Sequence, residues 1–341
     1  MNYIGSKLSL LPFLDEVFQQ VTDGSEKVFC DLFAGTGAVG RHFKARGLQV
    51  LANDLQYYAY ALNKAYLEIN ETPDFSGLRT HYKVTDALAF INDLPGVAGF
   101  ITEHYSPVGG RQYYTEENAR KADAIRQAIE EWRARGVITE QEYFYVLCSL
   151  LEAIDQVANT ASVYGAYLKK FKASATKPVR LKPLALTNHV QGCRAWHQDA
   201  NELIAKIECD VLYLDPPYNH RQYGANYHVL ETIAAYDQPT LKGVTGLRDY
   251  PKSLYCRQQT AKEAIAQVIR SARAKHIFVS YNDEGVMRLQ DIQELLSLRG
   301  KPQLFQTGYN RFKADNGRAY KRAATVESVH YVRVVTAAAA L

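Results

Sequence analysis

The stretch Val28-Phe29-Cys30-Asp31-Leu32-Phe33-Ala34-Gly35-Thr36-Gly37 joins an apolar run to a glycine-rich turn. Lys27 to Cys30 reads as a strand ending at Asp31, and Leu32 to Gly37 as the turn that follows. A helix is expected from about Ala38 to Ala45, closed by Gly47. Glycines let the backbone approach a ligand closely, and the start of a helix offers unpaired amides. The spacing is neither the Gly-x4-Gly-Lys-Ser/Thr phosphate loop nor the three-glycine dinucleotide fingerprint, which disfavours a NAD-dependent oxidoreductase. A second strand, Gln49 to Asn53, ends at Asp54. An acid at the tip of strand two, about twenty residues past such a turn, can accept both hydroxyls of a ribose. Turn, strand and acid together predict an open α/β sheet with a nucleoside-type ligand at one edge.

Farther on, Asp210-Val211-Leu212-Tyr213-Leu214 reads as a buried parallel strand and leads into Asp215-Pro216-Pro217-Tyr218. Each Pro fixes its own backbone angle, lacks an amide hydrogen and pushes the residue before it toward extended geometry. The result is a stiff, open corner. Its carboxylate and first carbonyls point outward as fixed acceptors, with a flat ring beside them. Such a corner suits a planar group that carries an amino function.

The chain of 341 residues is long enough for one large domain with an insertion, or for two domains. Hydrophobic content of 47% and charged content of 22% are those of an ordinary globular protein. A net charge of only +4 means that any site for a polyanion must come from local clustering. Cys30, Cys148, Cys193, Cys209 and Cys256 are scattered, without metal-site spacing, so reduced thiols and a cytoplasmic location are expected. No metal site, signal peptide or bilayer-spanning stretch is expected. The closing Ala337-Ala338-Ala339-Ala340-Leu341 reads as an appended tail and is set aside.

Asn2 to Lys7 is a polar turn in which Ser6 is a candidate cap for the helix that follows. Residues 57–93 read as helical and amphipathic. From about Pro95 a largely helical insertion is expected, running to residue 189 within a catalytic domain formed by 1–94 and 190–336. Within it, Thr115 caps a helix with the stripe Ala122, Ile125, Ile129 and Trp132. Thr139 and Glu142 form a capping box before the stripe Phe144, Leu147, Leu151 and Ile154. Ahead of both lies the turn-rich loop Tyr105 to Tyr114, in which Arg111 and Tyr113 are candidate DNA contacts.

Charge is distributed unevenly. From Gln156 to Gln198 there is no Asp or Glu, while Lys169, Lys170, Lys172, Lys177, Arg180, Lys182 and Arg194 fall in the same window. Such a segment makes a local field that attracts phosphates. A second basic run, Tyr309 to Arg322 with Arg311 and Lys313, reads as a hairpin loop between terminal strands at Gln303–Thr307 and Ser328–Val335. Trp196 to Asp199 reads as a short strand ending in an acid. Asn219 to His228, with Arg221 and Tyr223, reads as a polar, aromatic loop able to close on a substrate, while His220 and His228 are loop or packing residues. Ile277 to Asn282 is a further strand.

Three acids, Asp54, Asp199 and Asp215, thus stand at the carboxyl ends of separate expected strands, beside a glycine turn. In an open α/β sheet those ends line one crevice. The chain resembles the DNA adenine-N6 methyltransferases of the Dam-like group, with motifs in the alpha order. Tyr3-Ile4-Gly5-Ser6-Lys7, Asp31-Leu32-Phe33-Ala34-Gly35-Thr36-Gly37 and Asp215-Pro216-Pro217-Tyr218 match its three motifs in sequence. The resemblance implies a Rossmann-like class I S-adenosylmethionine-dependent sheet, mostly parallel with a terminal antiparallel hairpin. It implies S-adenosylmethionine held by Tyr3, Lys7, Asp31, Phe33, Ala34, Gly35, Thr36, Gly37, Asp54 and Asp215, with Asp199 at the cofactor's adenine ring. Catalysis would rest with Asp215, Pro216, Pro217 and Tyr218. Target recognition would belong to the insertion, with double-stranded DNA as substrate and a cognate restriction endonuclease as a partner.

The chemistry agrees with these residue types. An adenine amino group is a poor nucleophile because its lone pair is delocalised into the ring. Asp215 and the Pro216 carbonyl can accept its two hydrogens and favour a pyramidal nitrogen. RNA adenine or the cytosine amino group stays open as a substrate, and so does a non-catalytic nucleic-acid binder. If the basic window is a phosphate site, duplex binding weakens steeply with salt. The log–log slope should be about −0.9 per phosphate neutralised, and a flat plot excludes the 169–182 cluster from that role.

Overall fold

The computed structural model describes residues 3–188, 190–220, 222–283, 285–310 and 324–335. The basic run from Arg311 to Arg322, Arg221 and the tail at 337–341 lie outside the described residues. Two compact units emerge: Met1–Ile4, Lys64–Asn188 and Tyr223–Pro251 form one, and Gly5–Asn63, His189–Gln222 and Lys252–Leu341 the other.

The second unit carries a sheet. Its strands are β1 (Val28–Asp31), β2 (Gln49–Asn53), β3 (Arg194–Trp196), β4 (Val211–Leu214), β5 (His276–Asn282), β6 (Pro302–Asn310) and β7 (Ala324–Arg333). Their order is β3-β2-β1-β4-β5-β7-β6. Pairing is parallel from β3 through β5, and β7 runs antiparallel between β5 and β6. The continuous apolar runs follow from burial on both faces, and every residue of β4 and β5 is buried. Asp210 locks the starts of three strands together. Its Oδ2 accepts from the Lys27 and Val28 amides at 2.8 and 2.9 Å, and its Oδ1 meets Lys275 Nζ at 2.7 Å.

One face packs against the helix Gln258–Ser271, whose Ala261, Ile265, Val268 and Ile269 join Leu212, Leu214, Ile277 and Val279 in a shared core. Elsewhere in the unit Phe29 stacks on Phe43, with ring centroids 4.0 Å apart. The helix after the glycine turn spans Ala38–Ala45, as the sequence predicts. The strand expected at Trp196–Asp199 forms earlier, at Arg194–Trp196, because its amides pair with β2 only to Asn53. Ser6 does not cap the first α-helix. A 3-10 turn, Leu8–Leu10, precedes the helix Leu11–Val21, which has no side-chain cap, and Ser6 Oγ is 3.5 Å from the Leu8 amide.

The first unit is helical, and besides residues 95–188 it holds Lys64 onward and Tyr223–Pro251, segments expected from the sequence to belong to the catalytic domain. The helix Glu116–Ala134 is capped by Thr115, whose hydroxyl accepts from the Asn118 amide at 3.2 Å. The helix Glu140–Gln156 opens with the expected capping box. Thr139 Oγ1 accepts from the Glu142 amide at 3.2 Å, and Glu142 Oε2 accepts from the Thr139 amide at 2.7 Å. Removing such a cap leaves the first-turn amides unpaired. The exchange Thr139→Ala is expected to cost about 1 kcal/mol, read as a lower urea midpoint with unchanged m-value.

Candidate active site at the carboxyl edge of the sheet

Parallel register decides which side chains meet. Asp31 pairs with Ala52 on β2 and with Tyr213 on β4. Two residues beyond those partners stand Asp54 and Asp215. Three acids therefore gather where three neighbouring strands end. Their fields overlap: burial, together with the Asp215 and Asp54 charges, pushes the Asp31 carboxyl well above the usual carboxylate range. The β1–β4 pair is also where the strand order reverses, the place where open α/β sheets bind ligands.

Asp54 holds the glycine turn in shape. Its Oδ2 accepts from the Gly35 amide and its Oδ1 from the Gln56 amide, both at 2.8 Å. Asn63, which the sequence reading did not single out, holds the turn from the other side. Its Nδ2 donates to the carbonyls of Gly35 and Ala59 at 2.9 Å. Ala34 donates to the Asn53 carbonyl at 2.8 Å, and Phe33 meets Tyr255 edge-on with centroids 4.9 Å apart. Thr36 is partly buried, and Gly37 has a left-handed φ of 75°.

The Asp215-Pro216-Pro217-Tyr218 corner follows β4 directly. The Tyr218 carbonyl accepts from the Val286 amide at 2.8 Å, and its ring meets Tyr281 edge-on at 5.4 Å. Lys7 reaches into this corner with only 4% of its side chain exposed. Its Nζ lies 3.3 Å from Asp215 Oδ1, 3.2 Å from Glu327 Oε2 and 5.5 Å from the centre of the Tyr218 ring. Burial alone would lower the Lys7 ammonium, but Asp215, Tyr213 and Glu327 outweigh it and hold it charged. Burial lifts the Asp215 carboxyl to about 6 against the opposing pull of Lys7, and Glu327 adds to the rise. Glu327, 320 residues from Lys7 in the chain, had no sequence signal beyond being an acid among apolar strand residues.

Other candidates stand elsewhere. Asp199 is exposed and caps the helix Ala200–Leu203, its Oδ1 accepting from the Asn201 amide at 2.8 Å. Tyr3 belongs to the helical unit, stacked on Tyr227 at 4.7 Å and tilted on Tyr223 at 5.5 Å. Tyr223 donates to the Ile4 carbonyl at 3.2 Å. The loop expected over Asn219–His228 is in fact helical at Tyr223–Asn226, and Tyr227 and His228 are fully buried. His228 bonds the Ala225 and Thr245 carbonyls, which makes it a packing residue.

In the helical unit, Arg111 donates to the carbonyls of Val244, His104 and Gly243 at 3.1–3.3 Å. Tyr113 is fully buried, its hydroxyl donating to the Tyr164 and Thr245 carbonyls. Both hold loops in place. The acid-free segment is different: Lys169, Lys170, Lys177, Arg180 and Lys182 are exposed, while Lys172 is half-buried with its Nζ on the Thr160 carbonyl at 2.7 Å. Side-chain amides rather than secondary structure fix this segment. Asn118 bonds the Lys177 carbonyl and the Val179 amide, Asn159 the Leu168 carbonyl and the Lys172 amide, and Asn92 both backbone groups of Leu181. Arg194 is exposed at the start of β3.

A mostly parallel sheet with a reversed strand beside β5, and acids at its carboxyl edge, is the class I methyltransferase architecture. The model of the D12 class N6 adenine-specific DNA methyltransferases matches residues 3–295. Among similar proteins, the Type II methyltransferase M.NlaIII of Neisseria lactamica is 46% identical over 336 residues, covering 97% of this chain and 98% of the relative. M.FokI of Planomicrobium okeanokoites is 39% identical over 92% of this chain, which spans 50% of that relative. M.CviAII of Paramecium bursaria Chlorella virus 1 is 36% identical over 92% of this chain and 93% of the relative. The chain belongs to the D12 class N6 adenine-specific DNA methyltransferase family and is an enzyme that methylates adenine in DNA.

The turn itself can be tested. A Cβ on Gly37 would lie 2.6 Å from Asn63 Oδ1, in a backbone conformation that side chains rarely adopt. Gly37→Ala is expected to destabilise the fold by about 1–2 kcal/mol, measured as a drop in chemical-denaturation midpoint. Double exchange with Asn63→Ala should recover part of that loss.

Proposed function

We propose that the methyl donor is S-adenosylmethionine and that the cluster at the ends of β1, β2 and β4 binds it and performs the transfer. The observation that carries this reading is the meeting of Asp31, Asp54 and Asp215 at the strand-order reversal. The residues present suit a cationic nucleoside. Asp31 Oδ1 is buried without a hydrogen bond, and Asp215, whose Oδ1 meets Lys7 Nζ at 3.3 Å, adds a second carboxylate at the same edge. When bound, S-adenosylmethionine supplies an electrophilic methyl group on a sulfonium.

The protein's residues do the rest. Lys7, Phe33, Ala34, Gly35, Thr36 and Gly37 hold the donor with Asp31 and Asp54, while Asp199 contacts its adenine ring. Asp215 and the Pro216 carbonyl accept the two amino hydrogens of adenine, drawing the nitrogen lone pair out of the ring. Pro217 stiffens the corner, and Tyr218 stacks on a base turned out of the duplex. Catalysis is then positioning and electrostatics, without a covalent enzyme intermediate. Lys169, Lys170, Lys177, Arg180 and Lys182 hold duplex phosphates, with the helical unit serving target recognition. The names of the relatives, Type II methyltransferase and modification methylase, support a restriction-modification setting with a cognate endonuclease.

Asp215→Ala is expected to keep measurable S-adenosylmethionine binding by equilibrium dialysis. It should lose at least about 10²–10³-fold in transfer of labelled methyl to duplex DNA. Near-normal turnover in that variant would overturn the mechanism.

A further inference from the structure

The matched family region ends at residue 295, yet the buried corner is completed from beyond it. Because β7 runs antiparallel, its early residues lie at the edge where the parallel strands finish. Asn282, the last residue of β5, pairs in register with Glu327. Glu327 is 5% exposed. Its Oε2 takes Lys7 Nζ at 3.2 Å, and its Oε1 lies 3.5 Å from Asn282 Nδ2. One buried ammonium is thus shared between Glu327 and Asp215, at nearly equal distances.

That sharing has a chemical consequence. A carboxylate paired with a lysine of its own gives up acceptor strength to it and is hard to protonate. A lysine held by a second carboxylate binds the first less firmly. We propose that Glu327 is a positioning residue for the methyl transfer: by holding Lys7 from the far side, it keeps Asp215 free to accept the amino hydrogen of the target base. This rests on the role given to Asp215 above.

Among the described residues, few titratable groups face Asp215. The N-terminal segment contributes Lys7, β7 contributes Glu327, β4 contributes Tyr213 and β1 contributes Asp31, with Asp54 beyond it. Tyr213 and Asp31 are both shifted upward, first by burial and then by the Asp215 charge. Among the described residues, Lys7 and Glu327 are the charges that act most on Asp215, and they act in opposite directions.

The test is the pH profile of single-turnover methylation, at saturating S-adenosylmethionine and duplex DNA. The wild-type rate should fall on the acid side near pH 6, where Asp215 takes up a proton. Removing the Glu327 charge lets Asp215 stay ionised to lower pH. In Glu327→Gln the acid limb is therefore expected to move down by about one pH unit. The plateau should fall about tenfold or more as Lys7 closes on Asp215. Glu327→Asp should restore both in part. An unmoved or upward-moving limb in folded Glu327→Gln protein, whatever its melting temperature, overturns the proposal while leaving the reading of Asp215 intact. Should circular dichroism show that Glu327→Gln does not fold, Lys7→Gln decides. Loss of the shared cation should move the limb upward, and an unmoved limb there overturns the proposal. Undiminished methylation in Asp215→Ala would instead remove the underlying mechanism.

Discussion

Parallel pairing of β1 with a neighbour on each side is the constraint on which the rest depends. Hydrogen bonding fixes Asp31 opposite Ala52 and Tyr213, and no local preference of those segments requires it. Once that register is set, Asp54 and Asp215 must emerge at the same height, one on each flank of Asp31. A slip of one residue would turn every side chain of a strand to its other face, breaking both the buried core and the cluster of acids. Core packing and site geometry are thus held by the same interaction.

The charge arrangement explains why the corner stays organised. Two carboxylates and one ammonium occur together with little exposure to water. Isolated, each would be costly to bury, and loss of one member leaves an uncompensated charge. Sharing a single cation leaves a surplus of negative charge at the corner. A cationic donor and an amino group bearing acidic hydrogens both suit that surplus. The same arrangement keeps Asp215 near the point where it changes protonation, so the strength of the acceptor responds to small changes around it.

The helical unit solves a different problem. A long basic segment cannot form a core of its own, and its like charges repel. Asn92, Asn118, Asn159 and the Ser149 hydroxyl satisfy its backbone instead, while its lysine and arginine side chains other than Lys172 are exposed. Arg111 and Tyr113 show the converse. Their side chains look suited to nucleic acid in the sequence, yet their polar atoms are engaged by backbone carbonyls.

Local chemistry made much of the molecule legible from residues alone. The Thr115 and Thr139 caps, the glycine turn with its helix and the Asp-Pro-Pro-Tyr corner are set by neighbours close in the chain and form where the pattern put them, while the terminal strands expected at Gln303–Thr307 and Ser328–Val335 run instead over Pro302–Asn310 and Ala324–Arg333. The boundary of β3, the helix at Tyr223–Asn226 and the absent Ser6 cap differed, because pairing and packing with distant residues overrode weak local preferences. Sequence order could place acids at the ends of strands. It could not say that Asn63 would brace Gly35, or that Glu327 would meet Lys7. Those contacts exist only because the sheet brings together segments far apart in the chain, and loop closure over such separations leaves no periodic trace in the residues between.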